Sequence, residues 1–459
     1  MDWREPSRRE FLKALGATVA AAGLPSPGSA AEQPGVPAQI AADRVFVTCA
    51  DSNTIVVVDP ATNAVETTIN LTSFDEDPRP PFRLVTAGAT ASHAEMIHKP
   101  LYHGCIGAHG AVPSPDGYLL AICGRGSSNV YLVDTLRRAV VGNQLNPAAS
   151  PSTSPERVTG GVLVGRDPQQ ATFTRTGREL WVALRGEDRI AVVDVERALR
   201  QSSGAEAGAL LQLVPTVQGP SQAWFNAEGT LAFVASQKVP RLDVLRLDPD
   251  GAGRSRPRRL TALDVSAQDP AGFTPFLKGS PDGKEIWFAH ELADAVSGRL
   301  ASEPFGLTEA ILLGEKARPR QLELVENARG KVVYVALSRV DGDGPDGVAS
   351  SRIAIVDRGA PPGQRRVVGT FPSHGREAHG LWTNPSHSRL YVAHEQDELP
   401  GTPLAGQPVV TAFDVTDPLS PRLAARIPLG SLKLPSGDLR NKRGVGLAYV
   451  RPGHRSATG

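Results

Sequence analysis

Ten histidines and three cysteines stand among the 459 residues, and their spacing says more than their number. His109 and His379 each precede a glycine, while His290 and His394 each precede a glutamate, Glu291 and Glu395. His103 and Cys105 lie just ahead of His109. Imidazole and thiolate together suit copper, zinc or haem iron. The candidate metal ligands are therefore His103, His109, His290, His379 and His394, with Cys49 and Cys105 as additions. They would hold copper or another transition metal, or a non-covalent haem. No Cys-x-x-Cys-His run is present, so a covalently attached haem is not expected. Without a metal, a neutral histidine pair oriented by Glu291 or Glu395 could do acid–base work on an organic substrate. Arg125, Arg185 and Arg320 add guanidinium groups able to hold a carboxylate or phosphate. The plain alternative is a set of solvated or hydrogen-bonded side chains. There is no phosphate-binding glycine loop and no serine nucleophile elbow.

Residues so far apart in sequence meet only if a repeat brings them together. A turn-and-strand phrase recurs, as in Pro113-Ser-Pro-Asp-Gly-Tyr-Leu-Leu-Ala-Ile-Cys123 and Gly279-Ser-Pro-Asp-Gly-Lys-Glu-Ile-Trp-Phe-Ala289. Looser copies start at Thr174, Asn226, Glu326 and Asn384. With Arg44 to Thr48 these give seven "b" strands, each fed by a hairpin turn. A "c" strand ending in aspartate usually follows, at Asp59, Asp134, Asp194, Asp248, Asp357 and Asp414; the unit after His290 lacks a clear one. An innermost "a" strand precedes each phrase, near His109, Gln169, Ser221, Pro275, Arg320 and His379. The seventh, Val445 to Val450, comes at the far end, whereas the first unit has no "a" strand of its own. Ring closure accounts for both facts, since it pairs the free edges that would otherwise invite aggregation. The expected fold is all-β, a seven-bladed propeller closed by the C-terminal strand; a sandwich with long loops is the competitor.

The strand phrases resemble the propeller family named for its Tyr-Val-Thr-Asn repeat. Phe46-Val-Thr-Cys49, Trp181-Val-Ala-Leu184 and Tyr391-Val-Ala-His394 fill that slot. The resemblance covers most of residues 43–453 and speaks to fold more than activity. Related propellers include the haem-binding domain of nitrite reductase, lactonases, surface-layer proteins and copper-dependent thiol oxidases. In an alternating blade the start of "a", the end of "b" and the d–a loop share one face. Eight of the ten histidines fall there, leaving His387 and His454 elsewhere. Cys49 and Cys105 should lie on adjacent blades and could form a disulfide, in which case neither is a thiolate ligand. Cys123 reads as packing.

Ser7-Arg8-Arg9-Glu10-Phe11-Leu12-Lys13 looks like a twin-arginine export signal, with cleavage expected after Ala31. The chain then divides into signal 1–31, linker 32–42, propeller 43–453 and tail 454–459. A net charge of +1 gives no reason to expect nucleic acid or an acidic membrane surface, and no run after residue 32 is long and apolar enough to span a bilayer. Insertions run from Thr72 to Ala108, Pro147 to Asp167, Val340 to Ser350 and Gln396 to Pro408. Asp341-Gly-Asp-Gly-Pro-Asp-Gly347 departs from a calcium loop by one position and reads as a solvated turn. Three functions follow: an exported propeller with a histidine-rich metal or haem site, an oxidoreductase in its chemistry; a scaffold propeller binding a protein partner; or a lactonase-like hydrolase on a small molecule.

Overall fold

The recurring turn phrase works through backbone geometry. Gly117, Gly177, Gly229 and Gly283 occupy its last position with φ between +68° and +71°. A residue without Cβ takes that conformation at no steric cost. The aspartate that ends most "c" strands has its own reason. Asp59, Asp134, Asp357 and Asp414 each accept a backbone N–H two residues on, at 2.9–3.0 Å. These Asx turns send the chain from the third strand to the fourth.

In this computed structural model, residues 42–71, 106–141, 161–200, 208–251, 253–342, 344–434 and 437–453 are described. They form seven sheets arranged as the blades of a propeller. Blade one combines Arg44–Cys49, Thr54–Asp59 and Ala64–Asn70 with the distant Gly444–Val450. Blades two to seven start at Ala108, Pro168, Pro220, Phe276, Pro319 and Arg376. The third strand of blade five, unmarked by a terminal aspartate, is Ala295–Leu300.

Inner strands are buried on both faces and outer strands on one. Glu179–Leu184 is buried throughout, whereas Ala64–Asn70 alternates with solvent. The apolar side chains meet between neighbouring blades. Phe46, Ile55 and Val57 of blade one pack on Leu120, Ile122 and Val133 of blade two. Each such side chain is worth roughly 1.5–3 kcal/mol on burial.

Ring closure is direct. Gly444–Val450 pairs antiparallel with Arg44–Cys49, joining Arg44 to Val450 and Phe46 to Ala448. A charged latch sits beside it. Asp43, fully buried, accepts the Tyr449 hydroxyl at 2.5 Å and the Arg451 Nη2 at 2.6 Å. Removing one partner of a buried pair strands the other, so Asp43→Ala should cost about 3 kcal/mol. A guanidinium titration would check this; an unchanged midpoint would show that the latch contributes nothing.

Candidate functional site

Six of the seven innermost strands carry a β-bulge at the same level. Ala108 and Ala111 pair with Gly124 and Ile122, so two residues oppose one. The same extra residue falls after Pro168, Pro220, Pro319, Ala378 and Gly444. A bulge breaks strand alternation and turns consecutive residues toward one side. Here that side is the central channel. His109, Gln169, Arg320 and His379 face its mouth, and Gln170, Gln222, Gln321 and Gly446 line the neck below.

The mouth is a cavity of about 190 Å³. His109, His379, Arg125, Arg185, Arg320 and the amides of Gln169 and Gln237 line it, with Phe273 and Phe276, and no carboxylate among the described residues does. The carboxylates stand behind. Asp167 holds Arg125 at 3.2 Å and Arg185 at 2.6 Å, one acid shared between two guanidiniums. Glu291 accepts Arg320 at 2.7 Å and Arg318 at 2.8 Å. Anchored guanidiniums with spare N–H groups make a receptor for a small anion.

The two imidazoles meet edge to face, with centroids 5.7 Å apart. Each is tied by Nδ1 to a backbone carbonyl, His109 to Gln169 at 3.3 Å and His379 to Val445 at 3.0 Å. That leaves Nε2 as the remaining position of each ring. His379 Nε2 faces Glu395 Oε1 at 3.4 Å, and Glu395 also accepts Arg443 at 2.9 Å. Burial, opposed by Glu395 and assisted by Arg320, pulls His379 down to about 4. Burial and the Arg125 guanidinium hold His109 well below its usual range. Both rings are therefore uncharged at neutral pH.

The other expected ligands go elsewhere. His290 ends its strand and His394 lies two residues before the end of its own; both are fully buried, while Glu291 and Glu395 contact Arg320 and His379 from behind the cavity wall. For His394 and Glu395 the reason is strand alternation, since neighbours in a strand point to opposite sides; Glu291 already belongs to the 3-10 turn after its strand. His394 binds Val409 O and Ser373 Oγ, both at 3.0 Å. His290 contacts Ser297 Oγ at 2.7 Å and Thr274 Oγ1 at 2.8 Å, with Asp269 at 3.5 Å. This Ser–His–Asp order resembles a nucleophilic triad, but all three are fully buried, and it ties strands of blade five together. Cys49 is buried too, and burial pushes its thiol up to about 12, so it offers no thiolate at neutral pH. Of the four described members of the five-histidine set, His109 and His379 line the cavity and His290 and His394 do not. No group of three or more histidine, cysteine or acidic side chains able to hold a metal occurs among the described residues. His103 and Cys105 lie outside those residues, and Cys49, the described half of the expected Cys49–Cys105 disulfide, is a free thiol.

The glutamines were missed, although a signal for them exists. Pro168-Gln-Gln170, Pro220-Ser-Gln222 and Pro319-Arg-Gln321 repeat Pro-x-Gln at three "a" strands.

The buried histidines make stability depend on pH. His379 and His394 both sit at about 4 in the folded chain against 6.5 for a free imidazole. Protons therefore prefer the unfolded chain. The stabilisation is complete above about pH 6.5 and drains away as pH falls toward 4, at about 3 kcal/mol per histidine. Urea titrations at pH 7 and pH 4.5 should differ accordingly, and His394→Gln should shrink the difference. An identical difference in that variant would overturn the assignment.

Residues 5–25 match the twin-arginine translocation pathway signal sequence, so the chain is exported to the periplasm or beyond. No helix among the described residues is long and apolar enough to cross a membrane. No curated protein matches the chain. Among solved structures it is similar to a periplasmic gluconolactonase of Pseudomonas aeruginosa, at 14% identity over 89% of this chain and 99% of that one, with a TM-score of 0.54. It is also similar to a hydrazine synthase of Kuenenia stuttgartiensis, at 18% identity over 75% and 96%, with a TM-score of 0.52. A functionally unknown protein from Desulfotomaculum acetoxidans gives 9% identity over 89% and 99%, with a TM-score of 0.55. At these identities the likeness shows the fold.

Proposed function

We propose that this exported propeller, of the Tyr-Val-Thr-Asn type by its strand phrases, is a lactonase-like hydrolase acting on a small anionic lactone at the channel mouth. The observation that carries the reading is the lining of one cavity by two uncharged imidazoles and three guanidiniums. Arg125, Arg185 and Arg320 hold the substrate's carboxylate or phosphate. His109 Nε2 takes a proton from the attacking water, the new C–O bond forms at the carbonyl carbon, and the ring C–O bond breaks with its oxygen protonated. The gluconolactonase with the same fold is compatible with this chemistry.

The test is a comparison of phosphorylated or carboxylated δ-lactones with uncharged δ-valerolactone. Charge-assisted pairing at the guanidiniums should favour the anionic lactones by about tenfold or more in kcat/KM. No hydrolysis of any lactone ends the proposal. Metal analysis of protein taken through its own export route tests the rival. Stoichiometric copper, zinc or iron, lost on replacing His109 and His379 together, would replace hydrolysis with a metal centre at the same pair.

A further inference from the structure

The neck below the mouth is unlike the mouth. Its volume is about 10 Å³, room for one water-sized atom. Trp224, Phe276 and Trp382 wall it, and Gln170, Gln222 and Gln321 supply its side-chain polar groups. These glutamines are only 4–7% exposed.

The orientation of two of them is fixed by their neighbours. The Leu277 N–H donates to Gln222 Oε1 at 3.2 Å, and the Leu381 N–H donates to Gln321 Oε1 at 3.3 Å. A backbone N–H can only donate, so the amide oxygen must face the strand. The amide nitrogen then faces the neck. Neither nitrogen has a protein partner among the described residues. Gln170 completes the set by lying over Gly110, where a Cβ would stand 2.2 Å from its Oε1. Neither nitrogen is sealed from solvent, so each is a donor open to whatever occupies the neck.

We infer that the neck is a single-oxygen subsite, in which the Gln222 and Gln321 amides, with Gln170 beside them, donate to one acceptor oxygen of the ligand. This rests on the hydrolase reading and deepens it. The oxygen is the lactone carbonyl, and the ring with its anionic group occupies the mouth beside His109. The same donors hold the oxygen as it gains negative charge when water attacks. Dry walls strengthen that interaction.

Gln321→Glu and Gln222→Glu keep the acceptor for the backbone N–H but turn an oxygen into the neck. Gln321→Met is the neutral control for lost donation. Loss of one such donor should lower kcat on an anionic δ-lactone by about 100-fold or more, with KM moved much less. Thermal unfolding of the glutamate variants should stay near that of the parent. If the parent hydrolyses the lactone and all three variants keep kcat within about twofold, the neck holds only a water and the inference fails, while the hydrolase reading stands. A loss confined to the glutamates and absent in the methionine variant also overturns it, because charge rather than donation would be the cause. A parent inactive on every lactone removes both.

Discussion

Replacing His109 with glutamine lowers kcat on an anionic lactone by about 10²–10⁴-fold and leaves KM nearly unchanged. The reason lies in what each imidazole nitrogen already does. His109 Nδ1 is spent on the Gln169 carbonyl. His379 Nε2 faces a carboxylate that is itself held by Arg443. His109 Nε2 is thus the ring nitrogen left to take a proton inside the cavity. Glutamine occupies similar space and can still donate to Gln169 O, but it accepts no proton at working pH. The guanidiniums that fix the anionic group are untouched, so ground-state binding survives. Because burial and Arg125 hold His109 well below its usual range, the parent should stay active below pH 6.5 and fail only in stronger acid. His379→Gln should cost less, since that ring acts through its contact with His109. A His109→Gln enzyme keeping half its kcat, or a parent that loses activity near pH 6.5, would remove His109 from the role of base.

The ring was legible because its signals are local and repeated. A positive-φ glycine in four of the turns and an aspartate after most of the third strands are short-range requirements, and they recur along the chain. The missing first "a" strand and the surplus last one gave closure by the same logic. The site was half legible. His109, His379, Arg125, Arg185 and Arg320 do share one cavity, as their repeat positions implied. His290 and His394 do not, because the end of a "b" strand is one residue short of the face that looks into the channel. The bulges were invisible in the spacing. They insert a residue without altering the hydrophobic pattern, and they alone let Arg320 and Gln321, or Gln169 and Gln170, face the channel together.

Ending the chain before Gly444 should abolish cooperative folding altogether. All seven residues of Gly444–Val450 are buried. Val445, Leu447, Tyr449 and Val450 would leave the core together. At roughly 1.5–3 kcal/mol for each large apolar side chain, that loss rivals the whole stability of an ordinary domain, about 5–15 kcal/mol. The damage is also topological. Arg44–Cys49 would become an unpaired, buried-type edge, open to another chain. The site would go with it, since His379 donates to Val445 O and Gly446 packs so closely on His109 that a Cβ there would stand 2.2 Å from His109 O. Asp43→Ala is the matched comparison, because it breaks the latch and keeps the strand. It should unfold cooperatively at a lower midpoint, while the truncated chain should aggregate and show no transition. The export route supplies a second readout. The twin-arginine pathway carries folded proteins, so the truncated chain should accumulate as uncleaved precursor while the Asp43 variant is exported. A truncated chain that is exported and unfolds like the parent would mean that the blades close without their last strand, and the ring account of this fold would fall.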